Sequence, residues 1–148
     1  MNDTYPPFVI LLVEDSPADA HLTAMALSEN HILADVHTVS DGMEAIEFLH
    51  RQGTRFADTP RPDLILLDLN MPRMDGREFL AIVKQDPDLR EIPVVVLTTS
   101  DVERDVVGSY YLGAAGYITK PVELSEFMKA INSFGDYWFA LVRLPGKK

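Results

Sequence analysis

No cysteine occurs in the 148 residues. That absence removes disulfides, thiolate zinc sites, iron–sulfur clusters and thiol catalysis together, and it leads to the expectation of a reducing, cytoplasmic setting. Cations are scarce: 13 Lys and Arg stand against 23 Asp and Glu, a formal net charge of −10. Nucleic acids and anionic membranes are held by clustered cations that displace counterions, so neither is expected as a partner. Long apolar runs are missing as well. None approaches the roughly 20 residues of a membrane span, and the opening MNDTYPP has no basic stretch ahead of an apolar one. Neither a GxGxxG nor a GxxxxGK[ST] run is present, which argues against a nucleotide or flavin binder. His21, His31, His37 and His50 show no metal-ligand spacing and read as surface or helix-face residues. What remains is 47% hydrophobic and 24% charged, an ordinary globular balance in a chain about one domain long.

Two periodicities alternate along that chain. Phe8 to Val13, Leu64 to Leu67 and Val94 to Leu97 are almost wholly apolar, as strands covered on both faces are. Ala34 to Val39 mixes in polar residues and Gly116 to Thr119 is short, which suits sheet edges. Helical spacing follows each of them: Leu22, Met25, Ala26 and Leu27; Ala45, Ile46, Phe48 and Leu49; Phe79, Leu80, Ile82 and Val83; Val102, Val106, Val107, Tyr110 and Tyr111; then Leu124, Phe127, Met128, Ile131 and Phe134 towards Trp138. Five strand–helix repeats predict an α/β fold, a parallel sheet with right-handed crossovers and helices on both faces. With strands two and five at the edges, the simplest order is 2-1-3-4-5, the flavodoxin-like (βα)5 arrangement. Its switch point, where ligands bind, lies between strands one and three.

The residues that end the strands therefore converge. They are Glu14 and Asp15, Asp68, Thr98 and Thr99, then Thr119, Lys120 and Pro121. Each has a plain structural reading. Ser16 can cap a helix with Pro17 at its first position and Asp19 closing a capping box. Asp68 can form a turn, Thr98 is a normal strand residue, and Lys120 can be a solvated surface lysine. Together they say more. Adjacent acids at an interior strand end are costly unless relieved, and their hard oxygens suit Mg2+. A lysine point charge and a threonine hydroxyl opposite them suit a phosphoryl group, which an aspartate beside the metal can accept as nucleophile.

These pieces resemble the receiver domain of bacterial two-component response regulators. The resemblance rests on VEDSP at 13–17, DLILLDLNMPRMDG at 63–76, PVVVLTTS at 93–100 and YITKP at 117–121, in order over nearly the whole chain. It implies that Asp68 is the phospho-acceptor and that Glu14 and Asp15 form the acidic pair. Mg2+ would be ligated by Asp15, Asp68 and the backbone carbonyl of Asn70. Thr98 and Lys120 would hold phosphoryl oxygens, with Thr98 and Tyr117 as switch residues. The donor would be a histidine kinase, and the receiver itself would carry out phosphotransfer and slower autodephosphorylation. Thr99 departs from the family pattern, where Ala or Gly is usual, and a bulkier side chain there narrows access to Asp68. Gly76, in the Asp-Gly pair at 75–76, fits the family's turn into a helix.

With no output domain in the sequence, the expectation is a single receiver domain, its core about 8–135 and an aromatic extension about 136–148. The loop Gly53 to Pro62 and the tail DYWFALVRLP are similar to those of response regulators paired with bacterial phytochromes. That narrower resemblance implies a light-regulated kinase as donor. It also implies homodimerisation through the fourth helix, fifth strand and fifth helix. In the tail, Phe134, Tyr137, Trp138, Phe139, Leu141, Val142 and Leu144 either extend the core or form an exposed patch that meets a partner. A rival function, an aspartate-nucleophile phosphatase of the haloacid dehalogenase type, needs a second Asp two residues after the first. Asn70 stands there and cannot act as a general acid.

Overall fold

The computed structural model describes residues 8–29, 34–68, 74, 76–98, 113–123 and 125–127. Eight elements follow in order: β1 (Phe8–Val13), α1 (Pro17–Glu29), β2 (Ala34–Val39), α2 (Gly42–His50), β3 (Leu64–Asp68), α3 (Gly76–Gln85), β4 (Val94–Thr98) and β5 (Gly116–Thr119). The strands form one parallel sheet in the order β2-β1-β3-β4-β5, as the alternation of periodicities predicts. Every residue of β1, β3 and β4 is buried, whereas β2 and β5 are partly open, as edge strands are.

Strand parity sorts the core into two layers. Leu11, Val13, Ile65, Leu67, Val94 and Val96 face Ala45 and Phe48 of α2 and Phe79, Leu80 and Val83 of α3. Ile10, Leu12, Leu64, Leu66, Val95 and Leu97 face Ala20 and Leu27 of α1, together with Val122 and Phe127. Helices therefore cover both faces, the doubly wound arrangement. At about 25 cal/mol per Å2 of apolar surface removed from water, these two layers supply the main drive for folding.

One expectation, the buried face of α1, changes on contact with the structure. The buried side of α1 is Ala20, Thr23 and Leu27, while Leu22 and Met25 are 54% and 37% exposed. The apolar spacing read from 22, 25, 26 and 27 is therefore only partly the core face: Leu27 is buried, but a buried Thr joins it there and Leu22 and Met25 lie on the solvent side. Asp68 and Thr98 end β3 and β4 as the sequence implies, Asp68 pairing with Leu97 and Thr98 with Thr119 in the ladder. The loop Gly53 to Pro62 is tied to α2 at its start and packs against it. Arg51 takes the left-handed conformation (φ 55°) that closes α2, and the N–H groups of Arg51 and Gln52 return to Phe48 and Glu47. Phe56 then packs edge-on against Phe48 with ring centres 5.7 Å apart, and the Thr59 hydroxyl donates to the carbonyls of Phe48 and Phe56. The helix predicted from Val102 to Tyr111 and the aromatic extension lie outside the described residues, and residues 125–127 are the described part of the fifth.

Candidate functional site

In a parallel sheet all carboxyl ends lie along one rim, and the strand ends named from the sequence meet there. The Glu14 N–H donates to the carbonyl of Val39 at 3.0 Å, which continues the β1 ladder and fixes the turn into α1. Ser16 caps α1 as expected: its hydroxyl accepts from the Asp19 N–H at 3.2 Å, and Pro17 opens the helix. The other half of the expected capping box is absent. The Ser16 N–H goes to Glu14 Oε2 at 3.3 Å, and the Asp19 carboxylate turns instead to Lys120.

Lys120 is the centre of the arrangement. Its backbone N–H donates to the Thr98 carbonyl at 2.7 Å, which pins it just past β5, and the Lys120–Pro121 peptide bond is cis. Its ammonium lies 2.8 Å from Glu14 Oε1, 2.9 Å from Asp68 Oδ1 and 3.1 Å from Asp19 Oδ2. Glu14 and Asp68 are both buried. Glu14 Oε1 is fully enclosed, and its approach to Lys120 is an ion pair without hydrogen-bond geometry, so this oxygen has no hydrogen-bond donor. Burial pushes the Glu14 carboxyl above its ordinary range and the charge of Asp68 adds to this, although the Lys120 ammonium and the Ser16 N–H pull it back. For Lys120, burial alone would lower the ammonium. The hydrogen bonds and charges of Glu14, Asp68 and Asp19 prevail and hold it above an ordinary lysine. It stays charged at any physiological pH.

Glu14, Asp15 and Asp68 each offer a carboxylate oxygen, and these oxygens lie within 4.8 Å of one another. Among the described residues, Lys120 meets three carboxylates and Asp15 lies beside two of them, so these groups carry a local excess of negative charge. A divalent cation fits by donor chemistry, since three hard carboxylate oxygens lie within reach of one another. Thr98 is fully buried at the end of β4, and its hydroxyl reaches Thr119 Oγ1 at 3.5 Å, the limit of a hydrogen bond. Tyr117 is half-buried on β5, against the core layer that α2 and α3 cover. The structure thus brings Glu14, Asp15, Asp68 and Lys120 together. It engages the Thr98 hydroxyl with Thr119, and it sets Tyr117 in the core wall. Asn70, Thr99 and Asp75 lie outside the described residues.

A family model, the response regulator receiver domain, matches residues 10–132. The chain belongs to that family. Among receiver proteins, Rcp1 of Synechocystis sp. is 47% identical over 144 residues, 97% of each chain. The Mn(2+)-bound form of Rcp1 superposes with a TM-score of 0.70 at 48% identity, covering 95% of this chain and 100% of that one. The bacteriophytochrome response regulator AtBRR superposes at 0.84 with 40% identity, covering 97% of this receiver and all of AtBRR. The phosphorylated cyanobacterial phytochrome response regulator RcpA gives 0.71 at 45% identity, over 95% of this chain and 100% of RcpA. These relatives make the chain a receiver of two-component signalling with a histidine kinase as partner. Sequence reasoning found the strand-end residues but missed Asp19, whose side chain was assigned to the helix cap. Only the topology, which sets α1 beside the end of β5, brings it to Lys120.

Proposed function

We propose that Asp68 accepts a phosphoryl group from the phosphohistidine of a histidine kinase, with Mg2+ held by Asp15, Asp68 and the Asn70 carbonyl and Glu14 beside them. The observation that carries this reading is the single ammonium of Lys120 held against the buried carboxylates of Glu14 and Asp68 at the sheet rim. An Asp68 oxygen attacks phosphorus, the bond from phosphorus to the imidazole nitrogen breaks, and the imidazole leaves with the electron pair. When bound, the metal neutralises charge on the phosphoryl oxygens. Lys120 supplies a fixed point charge to the same oxygens, and Thr98, at the adjacent strand end, supplies a hydroxyl once it leaves Thr119. Hydrolysis of the acyl phosphate on the same residues gives autodephosphorylation. The likeness to phytochrome response regulators supports a phytochrome-type light sensor as the kinase. The reading includes a single receiver domain over 1–148 acting in the cytoplasm. It dimerises and signals through the fourth helix, β5 and fifth helix, with the tail after about residue 136 contributing to the dimer.

The test is incubation with Mg2+ and acetyl phosphate, followed by intact mass measurement. The expected result is an acid-stable, base-labile gain of about 80 Da, the size of one phosphoryl group, that disappears in Asp68→Asn. No gain on the wild type, or an undiminished one on the variant, rejects the assignment. Sedimentation of the full chain and of a chain ending at Gly135 tests assembly, and two equally monomeric species would end the dimer proposal.

A further inference from the structure

The Lys120 ammonium lies within 3.1 Å of three carboxylates, so an incoming phosphoryl oxygen has to take the place of one of them. The three are not equal. Glu14 Oε1 is enclosed and has Lys120 as its cation, so its release would leave a buried charge unpaired. Asp68 is the group modified and is itself buried. Asp19 differs: its side chain is 44% exposed and borders an open cleft of about 420 Å3 lined also by Leu22, Thr23, Lys120, Pro121 and Val122. Water can rehydrate it at once. It is also reached from another element, α1, 101 residues away in sequence.

Resting on the phosphoacceptor reading above, we propose that Asp19 is a positioning residue, the releasable holder of Lys120. It orients the ammonium in the unmodified protein and gives up that N–H to a phosphoryl oxygen when Asp68 is modified. Asp19 therefore competes with the phosphoryl group for one donor, and removing its charge favours the modified state. A half-exposed ion pair is weak, so the shift is modest, roughly twofold to fivefold in equilibrium.

A reversible phosphoryl mimic reads this without turnover. Beryllofluoride, with Mg2+ present, coordinates the aspartate oxygen as phosphorus would, and titration calorimetry gives its affinity for the full chain. Asp19→Asn and Asp19→Ala are expected to bind it roughly twofold to fivefold tighter than wild type, and Asp19→Glu to return to the wild-type value. Both charge-removing variants should also melt earlier than wild type when free, and level with wild type once loaded. Asp19 lies in the first turn of α1 as well, so a purely structural role would lower the melting point equally in both states. Unchanged or weaker binding in the variants, or an equal melting deficit in the free and loaded forms, overturns the proposal while leaving Asp68 as acceptor. A wild type that takes up no beryllofluoride overturns the phosphoacceptor reading, and this inference with it.

Discussion

Replacing Lys120 by Met keeps most of the side-chain length and removes the cation. The Lys120 side chain is 16% exposed, that of Glu14 is 1% and that of Asp68 is 6%, so the loss leaves two buried carboxylates facing each other. Breaking a buried pair from one side costs about 3 to 5 kcal/mol, and the partial access of water to Lys120 sets the expectation near the lower figure. The Asp19 contact, half in solvent, adds only a few tenths. At about 2 to 4 °C per kcal/mol for a chain of this size, the thermal midpoint should fall by about 6 to 12 °C. Circular dichroism melts at neutral pH with a chelator measure that fall. Repeating them with Mg2+ measures recovery, because a metal is then the cation left to offset Glu14, Asp15 and Asp68. Metal at a hundred times its dissociation constant contributes about 2.7 kcal/mol, and it should stabilise the variant more than the wild type. A midpoint within about 2 °C of wild type in chelator would refute the claim that Lys120 neutralises buried charge. An equal metal effect on both proteins would show that metal and lysine do not share the same carboxylates.

Three further outcomes follow from parts of the fold away from Lys120. Glu44 is held below its ordinary value of 4.5, first by the Ser40 N–H and then, against the effect of burial, by Arg55 at 3.1 Å. A lowered folded value means stabilisation that is present above pH 4.5 and is lost as pH falls through the folded value, so Glu44→Gln should flatten the acid limb of a midpoint-against-pH curve; parallel curves would contradict this. Phe56→Ala removes a buried ring from Phe48 and should lower stability by about 3 kcal/mol in urea melts, with the Asp68 adduct still forming. Loss of the adduct in a folded variant would tie that segment to the site. A Cβ on Gly42 would sit 3.0 Å from the Met74 backbone oxygen as well as from its side chain. Gly42→Ala should therefore lower the unfolding free energy from urea melts by about 1 kcal/mol or more despite the better helix former, and a gain in stability would show that the backbone at Met74 yields.

The strands were readable because burial on both faces leaves an apolar run that nothing else in a short chain imitates. FVILLV, LILL and VVVL could each be placed from their letters alone, and the mixed ADVHTV identified itself as an edge. The strand ends Asp68 and Thr98 were read correctly too. Asp68 and Thr98 break the apolar pattern while continuing the ladder, since pairing is a property of the backbone and composition is a property of the side chain. Helix α1 misled in part. Its core face carries Ala20 and Thr23, small or polar residues that fit under a crowded sheet, while Leu22 and Met25 lie outside. The converging carboxylates and Lys120 followed from strand order, because each closes a strand. Asp19 did not, because its position in a first turn already had a sufficient local explanation, and its contact with Lys120 depends on packing that no local pattern encodes.

The parallel sheet has one more consequence, for the time course of synthesis. Its site joins Asp19 to Lys120 across 101 residues, and strands of this kind pair only through long crossovers, so the rim is incomplete until that whole span is present. A nascent chain shows Asp68 to the cell well before β5 and Lys120 have left the ribosome, and until then the aspartate has neither its ammonium nor its walls. A truncated product that stops short of Lys120 lacks the cation that faces Glu14 and Asp68 at the rim.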